Sequence, residues 1–275
     1  MSLDLNTMNI FEVVLLQPLA NGLALSYRIL GGNMGLAIIG FSIFLRFALS
    51  PLTRPYMESM KKMKSFQKDL EKLKKRHKGD RKQLMRAQAD FYKEKGINPS
   101  AGCLPYLLQI VVLIAFFNVF SRVLSSNGDI VSHFNKLLYE PLKFAADTSL
   151  NTKFLYLDIT KPDTIVGLAP IALPGPLLIL AALVQFASAK ISAPYVEIEK
   201  KIAKKTKGES DDIQVAMQQS MVYTFPLITL LVGINFASGL VLYWLVFSAS
   251  QAFQQYRSSG WGGLTPWVKR FNLVK

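Results

Sequence analysis

One arginine is the residue of this chain best placed to bind something. Arg46 stands inside NMGLAIIGFSIFLRFALSPLT (residues 33–53), a run otherwise free of charge. A charge in the middle of a membrane helix costs about 2.5–3.5 kcal/mol on insertion scales, so its presence needs a reason. Two readings are open. The side chain can snorkel to the headgroups on its long stem, or it can face a wet cavity inside a bundle. Ser42 lies one helical turn before it and Ser50 one turn after, which puts a polar stripe on one face and favours the cavity. Other apolar stretches carry Gln109, Asn118, Gln185, Thr229, Asn235, Tyr243 and Gln251, and the plain reading of each is an interhelical hydrogen bond. None of these stretches contains Asp or Glu. A proton- or cation-coupled carrier normally needs such an acid, so that class is disfavoured. The candidate ligands for Arg46 are water, lipid phosphate or a visiting anionic group.

Bond-making chemistry has little material. The single cysteine, Cys103, excludes an internal disulfide, and with only His77 and His133 beside it neither a zinc site nor a Cys/His nucleophile pair can be assembled. There is no phosphate loop, no GxSxG, no HExxH and no pair of carboxylates at helical spacing. The sequence implies a protein that is not an enzyme and uses no cofactor or metal. A second candidate binding surface is a methionine-rich face: Met57, Met60, Met63 and Phe66 recur at steps of three. It can hold two helices together, or serve as an adaptable apolar surface for a client.

The elements that must position these residues follow from hydropathy. The chain has 275 residues, 51% of them hydrophobic, and a net charge of +14. Apolar stretches alternate with charged blocks. The pattern predicts an all-α integral membrane protein with a five-helix transmembrane core. Residues 1–32 form an outer-face segment whose 9–30 stretch, interrupted by Glu12, Gln17, Pro18, Asn21 and Arg28, can be a span or a helix lying in the interface; Pro18 and the polar groups, costly at mid-bilayer, favour the amphipathic interfacial helix. Residues 1–10 lack the basic start of a cleaved signal peptide. The spans are predicted at 33–53, 99–124, 177–193, 218–236 and 238–256. A basic helical hairpin occupies 54–98, turning at Gly79-Asp80. The remaining connections are a loop over 125–176, a charged loop over 194–217, and a basic tail over 257–275. Residues 54–98, 190–217 and 257–275 hold 25 of the 32 Lys and Arg. The positive-inside rule places those segments in the cytoplasm and the N-terminus outside.

Several motifs, in order, resemble the YidC-type membrane protein insertases: QPL at 17–19, the Arg46 span ending in Pro51-Leu52, the basic hairpin, NPSAGCLPYLLQ at 98–109, FLYLDITKPD at 154–163 and SGLVLYW at 238–244. The resemblance covers nearly the whole chain. It implies five core helices around a hydrophilic groove open to the cytoplasm and to lipid, with a cytoplasmic hairpin and an outer amphipathic helix. The chain looks like that core alone, without the added N-terminal span and large periplasmic domain of many Gram-negative members. The family's groove arginine corresponds to Arg46, the polar residue before it to Ser42, and the aromatic pair of the substrate path to Tyr243 and Trp244. Gln109 joins this groove set, and Met57, Met60, Met63 and Phe66 fall on the substrate-capturing hairpin. Val111 and Ala237 stand where the family often has proline.

The function so implied is insertion and folding of nascent membrane proteins at the bacterial inner membrane, by a multi-pass protein whose C-terminus is cytoplasmic. A wet groove shortens the dry path that a polar flank must cross, and Arg46 attracts its acidic residues. The partners implied are the nascent chain and the bilayer, with the ribosome and a Sec translocon as further candidates. Two rivals are a small-solute transporter and an assembly factor that translocates nothing.

Overall fold

Helices dominate the chain because its long stretches are built from good helix formers at helical spacing, with most helical prolines in first turns and only Pro55 and Pro226 further inside a described helix. A computed structural model describes residues 10–77, 80–97, 104–124, 130–165, 172–192 and 222–270. Two units can be separated. One comprises Met1–Ala48, Leu107–Ala181 and Thr229–Phe247; the other comprises Leu49–Tyr106, Ala182–Ile228 and Ser248–Lys275.

The first unit opens with a π turn, Glu12–Leu16, that leads into α1, Gln17–Ile29. Helix α1 buries Leu19, Ala20, Leu23, Ala24 and Tyr27 against α2 and leaves Leu25 and Ile29 exposed. Three of the polar side chains in this stretch, Glu12, Asn21 and Arg28, have distant partners. Glu12 pairs with Arg122 at 3.1 Å. The Asn21 amide donates to the Leu137 carbonyl at 3.1 Å, and its oxygen accepts from the Tyr139 N–H at 2.8 Å. Arg28 donates to the carbonyls of Pro141, Leu142 and Lys143 and lies over the Phe144 ring. Helix α1 stops where Gly31 and Gly32 take positive φ, with the Gly32 N–H returning to the Tyr27 carbonyl at 2.9 Å. That left-handed exit suits glycine and satisfies an end carbonyl.

Helix α2, Met34–Ala48, continues the chain. The sequence predicts one span over 33–53, but the helix breaks at Leu49 and α3 begins at Ser50. Pro51 explains the break: it has no N–H to give to Phe47, and it is harmless in a first turn. In the second unit the hairpin has three helical pieces rather than two: α3, Ser50–Ser65; α4, Gln67–Arg76; and α5, Arg81–Glu94. Asp80 caps α5 by accepting from the Gln83 N–H at 2.9 Å. The turn residues 78–79 lie outside the described residues.

Helix α6 is Leu104–Leu124. The following loop is more ordered than its mixed composition suggests. It contains a short helix, α7 (Ile130–Asn135), a 3₁₀ turn at Glu140–Leu142 and two antiparallel ladders. In the first, β1 (Lys153–Phe154) pairs with β2 (Leu157–Asp158); in the second, β3 (Thr164–Ile165) pairs with β4 (Leu173–Pro174). Helix α8 is Pro176–Ser192, α9 covers 222–233, α10 is Ser238–Ser259 and α11 is Thr265–Arg270. The charged loop predicted over 194–217 and Cys103 lie outside the described residues.

The FLYLDITKPD segment is the organiser of the first unit. The Asp163 carboxylate accepts from the Leu178 N–H at 3.0 Å, and the Tyr156 hydroxyl accepts from the Leu177 N–H at 2.9 Å. Both bonds satisfy the orphan donors at the start of α8. The carbonyls of Lys161 and Ile159 accept from the N–H groups of Ser238 and Gly239, and the Asp158 carbonyl accepts from the Ser238 hydroxyl. These begin α10. Just before the segment, the Asn151 carbonyl accepts from Met34 N–H, and the Asn33 side chain bonds the Lys153 carbonyl and the Leu36 N–H. These begin α2. Gly239 permits the close contact: a Cβ there would lie 2.8 Å from Phe120 and 3.1 Å from the Ile159 carbonyl.

Among the described residues no helix is long and apolar enough to cross a membrane. Helix α2 has 15 residues, about 22 Å at ~1.5 Å each, short of the roughly 30 Å hydrocarbon core. Helix α10 has the length, but its second half carries Gln251, Gln254, Gln255 and Arg257.

Candidate functional site

Arg46 lies on the last turn of α2, on the face that also carries Ile38, Phe41 and Ser42. That face is buried. Arg46 is 5% exposed and Ser42 is fully buried. The guanidinium carbon sits 4.9 Å from the centroid of the Phe247 ring. A desolvated cation over an aromatic face gains up to about 2 kcal/mol, a partial offset for leaving water. Phe247 is one turn beyond Tyr243 on α10, with their rings 5.7 Å apart. Tyr243 in turn stacks on Phe116 of α6 at 4.3 Å, and Phe116 meets Phe41 of α2 at 6.0 Å. A closed set of rings from α2, α6 and α10 thus fixes the wall beside Arg46.

Two polar atoms of α10 are buried with no hydrogen-bond partner among the described residues: the Tyr243 hydroxyl in that wall and the indole nitrogen of the next residue, Trp244. Leaving a buried donor unmade costs about 1–3 kcal/mol, so each such group in a folded protein calls for an explanation. Ser42 behaves differently. Its hydroxyl donates to the Ile38 carbonyl of its own helix, a local bond that occupies its proton.

The structure therefore brings Arg46, Ser42 and Tyr243 into one unit, with Trp244 beside Tyr243 on the same helix. Gln109 belongs to α6, but its side chain lies outside the described residues. So do the side chains of Met57, Met60 and Met63 on α3. Phe66 joins α3 to α4 and packs edge-on against Phe91 of α5 at 5.9 Å, with Lys95 above both rings. Its ring closes the base of the hairpin. Phe247 was not singled out in the sequence. The signal was there, since it follows Tyr243 at i+4 on a helical face.

The helical class and the apolar outer faces fit a membrane protein. Leu36, Phe44 and Phe47 on α2, Ile114 on α6, and Leu180 and Leu183 on α8 are all exposed, the reverse of a water-soluble pattern.

Comparison with known proteins gives this class its family. Residues 25–259 match the family model described as 60Kd inner membrane protein. A membrane protein insertase YidC of Fusobacterium nucleatum is 30% identical over 225 residues, which cover 82% of this chain and 85% of the relative. One of Pelobacter propionicus is 30% identical over 249 residues, covering 89% of this chain but only 38% of the relative. Membrane protein insertase YidC 1 of Streptococcus agalactiae is 32% identical over 226 residues, covering 81% of this chain and 66% of the relative. The chain thus spans most of one relative and well under half of another. It belongs to this family of bacterial inner-membrane insertases, which is not a family of enzymes.

Proposed function

We propose that this protein inserts nascent membrane proteins by receiving their polar flanks beside Arg46, and that it does so as a five-span protein with its basic segments in the cytoplasm. The observation that carries the reading is the enclosed guanidinium on α2, walled by Tyr243 and Phe247 in a protein of the insertase family. A positive charge with little water around it has a longer reach than one in bulk solvent. An acidic residue in a client's flank is drawn to it, which lowers the cost of taking that flank part-way across the hydrocarbon. Burial of the client's apolar segment in lipid drives the net reaction, and no nucleotide is required. The membrane potential adds a pull on negative charges moving outward.

The hairpin α3–α5 is the proposed capture surface, through the methionine face of α3. The ribosome fits its basic exterior by phosphate attraction, and a Sec translocon is a further candidate partner. The orientation is supported by where the helices begin: α2, α8 and α10 all start at the 151–163 segment, while most Lys and Arg lie in the hairpin, the charged loop and the tail.

The test is reconstitution of the full chain into liposomes with single-span clients. Arg46→Ala is expected to slow insertion of a client with an acidic N-terminal flank by about tenfold or more, and Arg46→Lys by less. A client with a neutral flank should be little affected. If both variants insert the acidic client as the parent does, across several clients, the charge plays no part in reception. A transporter would instead show saturable solute uptake, and an assembly factor would tolerate loss of Arg46.

A further inference from the structure

The turn that joins β1 to β2 has an unusual tip. Phe154 pairs with Leu157, so Leu155 and Tyr156 are the two turn residues. Leu155 has φ +53° and is the only non-glycine residue with positive φ among the described residues. A two-residue hairpin of this hand normally places Asn, Asp or Gly there. Here it holds a leucine, which is 84% exposed. Tyr156 is also exposed, although its hydroxyl is turned inward to the Leu177 N–H and Asp163. The strained backbone is held by the ladder on one side and by that hydroxyl on the other.

The charges around the tip are sorted. The acids are engaged: half-buried Asp158 accepts from the Thr160 N–H and hydroxyl, and buried Asp163 from the Leu178 N–H. The cations face outward: Lys153 is exposed, and Lys161 is exposed at 3.8 Å from Asp158. The tip therefore presents hydrocarbon flanked by two exposed lysines, Lys153 and Lys161. It is also continuous with the apolar exterior of α2. The Lys153 carbonyl accepts from Asn33, Phe154 lies against Gly35, and the next residue, Leu36, is exposed.

We infer that the Leu155-Tyr156 tip is a phospholipid-binding wedge: the leucine enters the acyl boundary of the outer leaflet, and Lys153 and Lys161 meet the phosphates. Apolar tips with adjacent cations suit that boundary, where hydrocarbon and anionic oxygen lie within a few ångströms. A protein partner would more readily be matched by a mixed-charge rim, and the acids here are already engaged. The inference rests on the membrane reading above.

It is tested on the full chain in a Cys103→Ser background, in vesicles of phosphatidylethanolamine and phosphatidylglycerol. An environment-sensitive fluorophore is placed at Leu155→Cys, at Phe44→Cys on the exposed face of α2, and at Asp147→Cys on an exposed part of the same loop. The wedge predicts strong quenching at 155 by lipid carrying a spin label near the top of the acyl chain. It also predicts an iodide quenching constant at least threefold below that at 147. Lys153→Cys leaves the turn intact and should be quenched by headgroup-labelled lipid, so the proposal survives a folding defect at 155. Iodide access at 155 equal to that at 147 overturns it. So does shielding from iodide without lipid quenching, which would mean a protein covers the tip. Lipid quenching at 44 with none at 153 or 155 refutes the wedge alone; absence of quenching at 44 refutes the membrane reading instead.

Discussion

Removing the Asp163 carboxylate should unfasten the start of α8. In Asp163→Ala the Leu178 N–H, now 3.0 Å from a carboxylate oxygen, loses its acceptor in a buried setting. A lost side-chain cap costs about 0.5–2 kcal/mol. The buried donor adds about 1–3 kcal/mol, in part the same loss, and the missing charge at a helix N-terminus adds about 0.3–1 kcal/mol. Allowing for the overlap, local opening should become easier by about 2–4 kcal/mol, or roughly 30- to 1000-fold in the opening constant. Asp163→Asn keeps an oxygen acceptor and loses only the charge, so about 0.5–1 kcal/mol is expected. Amide hydrogen exchange at Leu177 and Leu178, in detergent micelles and in nanodiscs, reads this directly. Tyr156→Phe provides a companion, since it takes the acceptor at 2.9 Å from Leu177 and leaves Asp163 in place. The capping argument is refuted if Asp163→Ala exchanges within threefold of the parent, or if the asparagine variant is as damaged as the alanine one.

Gly239→Ala should be out of proportion to its size. The new methyl would meet Phe120 at 2.8 Å and the Ile159 carbonyl at 3.1 Å, so about 1–3 kcal/mol of overpacking is expected, read as a lower thermal midpoint in detergent. Asp158 gives a pH dependence. Burial alone would push its carboxyl up, but hydrogen bonds from the Thr160 hydroxyl and N–H and from Thr152, with the nearby Lys161 charge, outweigh this and hold it below its ordinary value. A depressed carboxylate stabilises the fold above its unfolded pKa, and that contribution is lost as pH falls through the folded value. The stability gap between the parent and Asp158→Asn should therefore be constant from pH 7 to 5 and shrink below about pH 4. A gap that stays constant to pH 3 would remove the Thr160 bonds as its cause.

The uneven legibility of the sequence has a physical basis. The run from Met34 to Ala48 announces a helix because its apolar residues are contiguous, and Arg46 stands out against it. The interfacial character assigned to residues 9–30 depends on Glu12, Asn21 and Arg28, and the structure supplies what those polar groups bind: Arg122, Leu137 with Tyr139, and three carbonyls near residue 142. None of those partners could be read locally, since each lies more than 100 residues away. The break at Leu49 was legible in Pro51 but was overridden by the apolar average. The two ladders were invisible because two-residue strands have no period, and Asp163 gives no local sign that it caps a helix starting thirteen residues later. At the candidate site, Arg46 and Tyr243 came from residue type and resemblance. Phe247, the ring under the guanidinium, was overlooked because one more phenylalanine in an apolar helix carries no contrast.

The stretch from Asn151 to Asp163 touches the first turns of α2, α8 and α10 with fixed backbone partners at both ends. It therefore acts as a ruler. Deleting or inserting a single residue between Lys153 and Asp163 would shift one anchorage against another by roughly 3.3 Å, more than a hydrogen bond can stretch. Substitutions along it can be absorbed one side chain at a time, but a change in its length cannot. Variation in the length of this loop has to be accommodated outside the stretch, upstream of Asn151 or after Ile165.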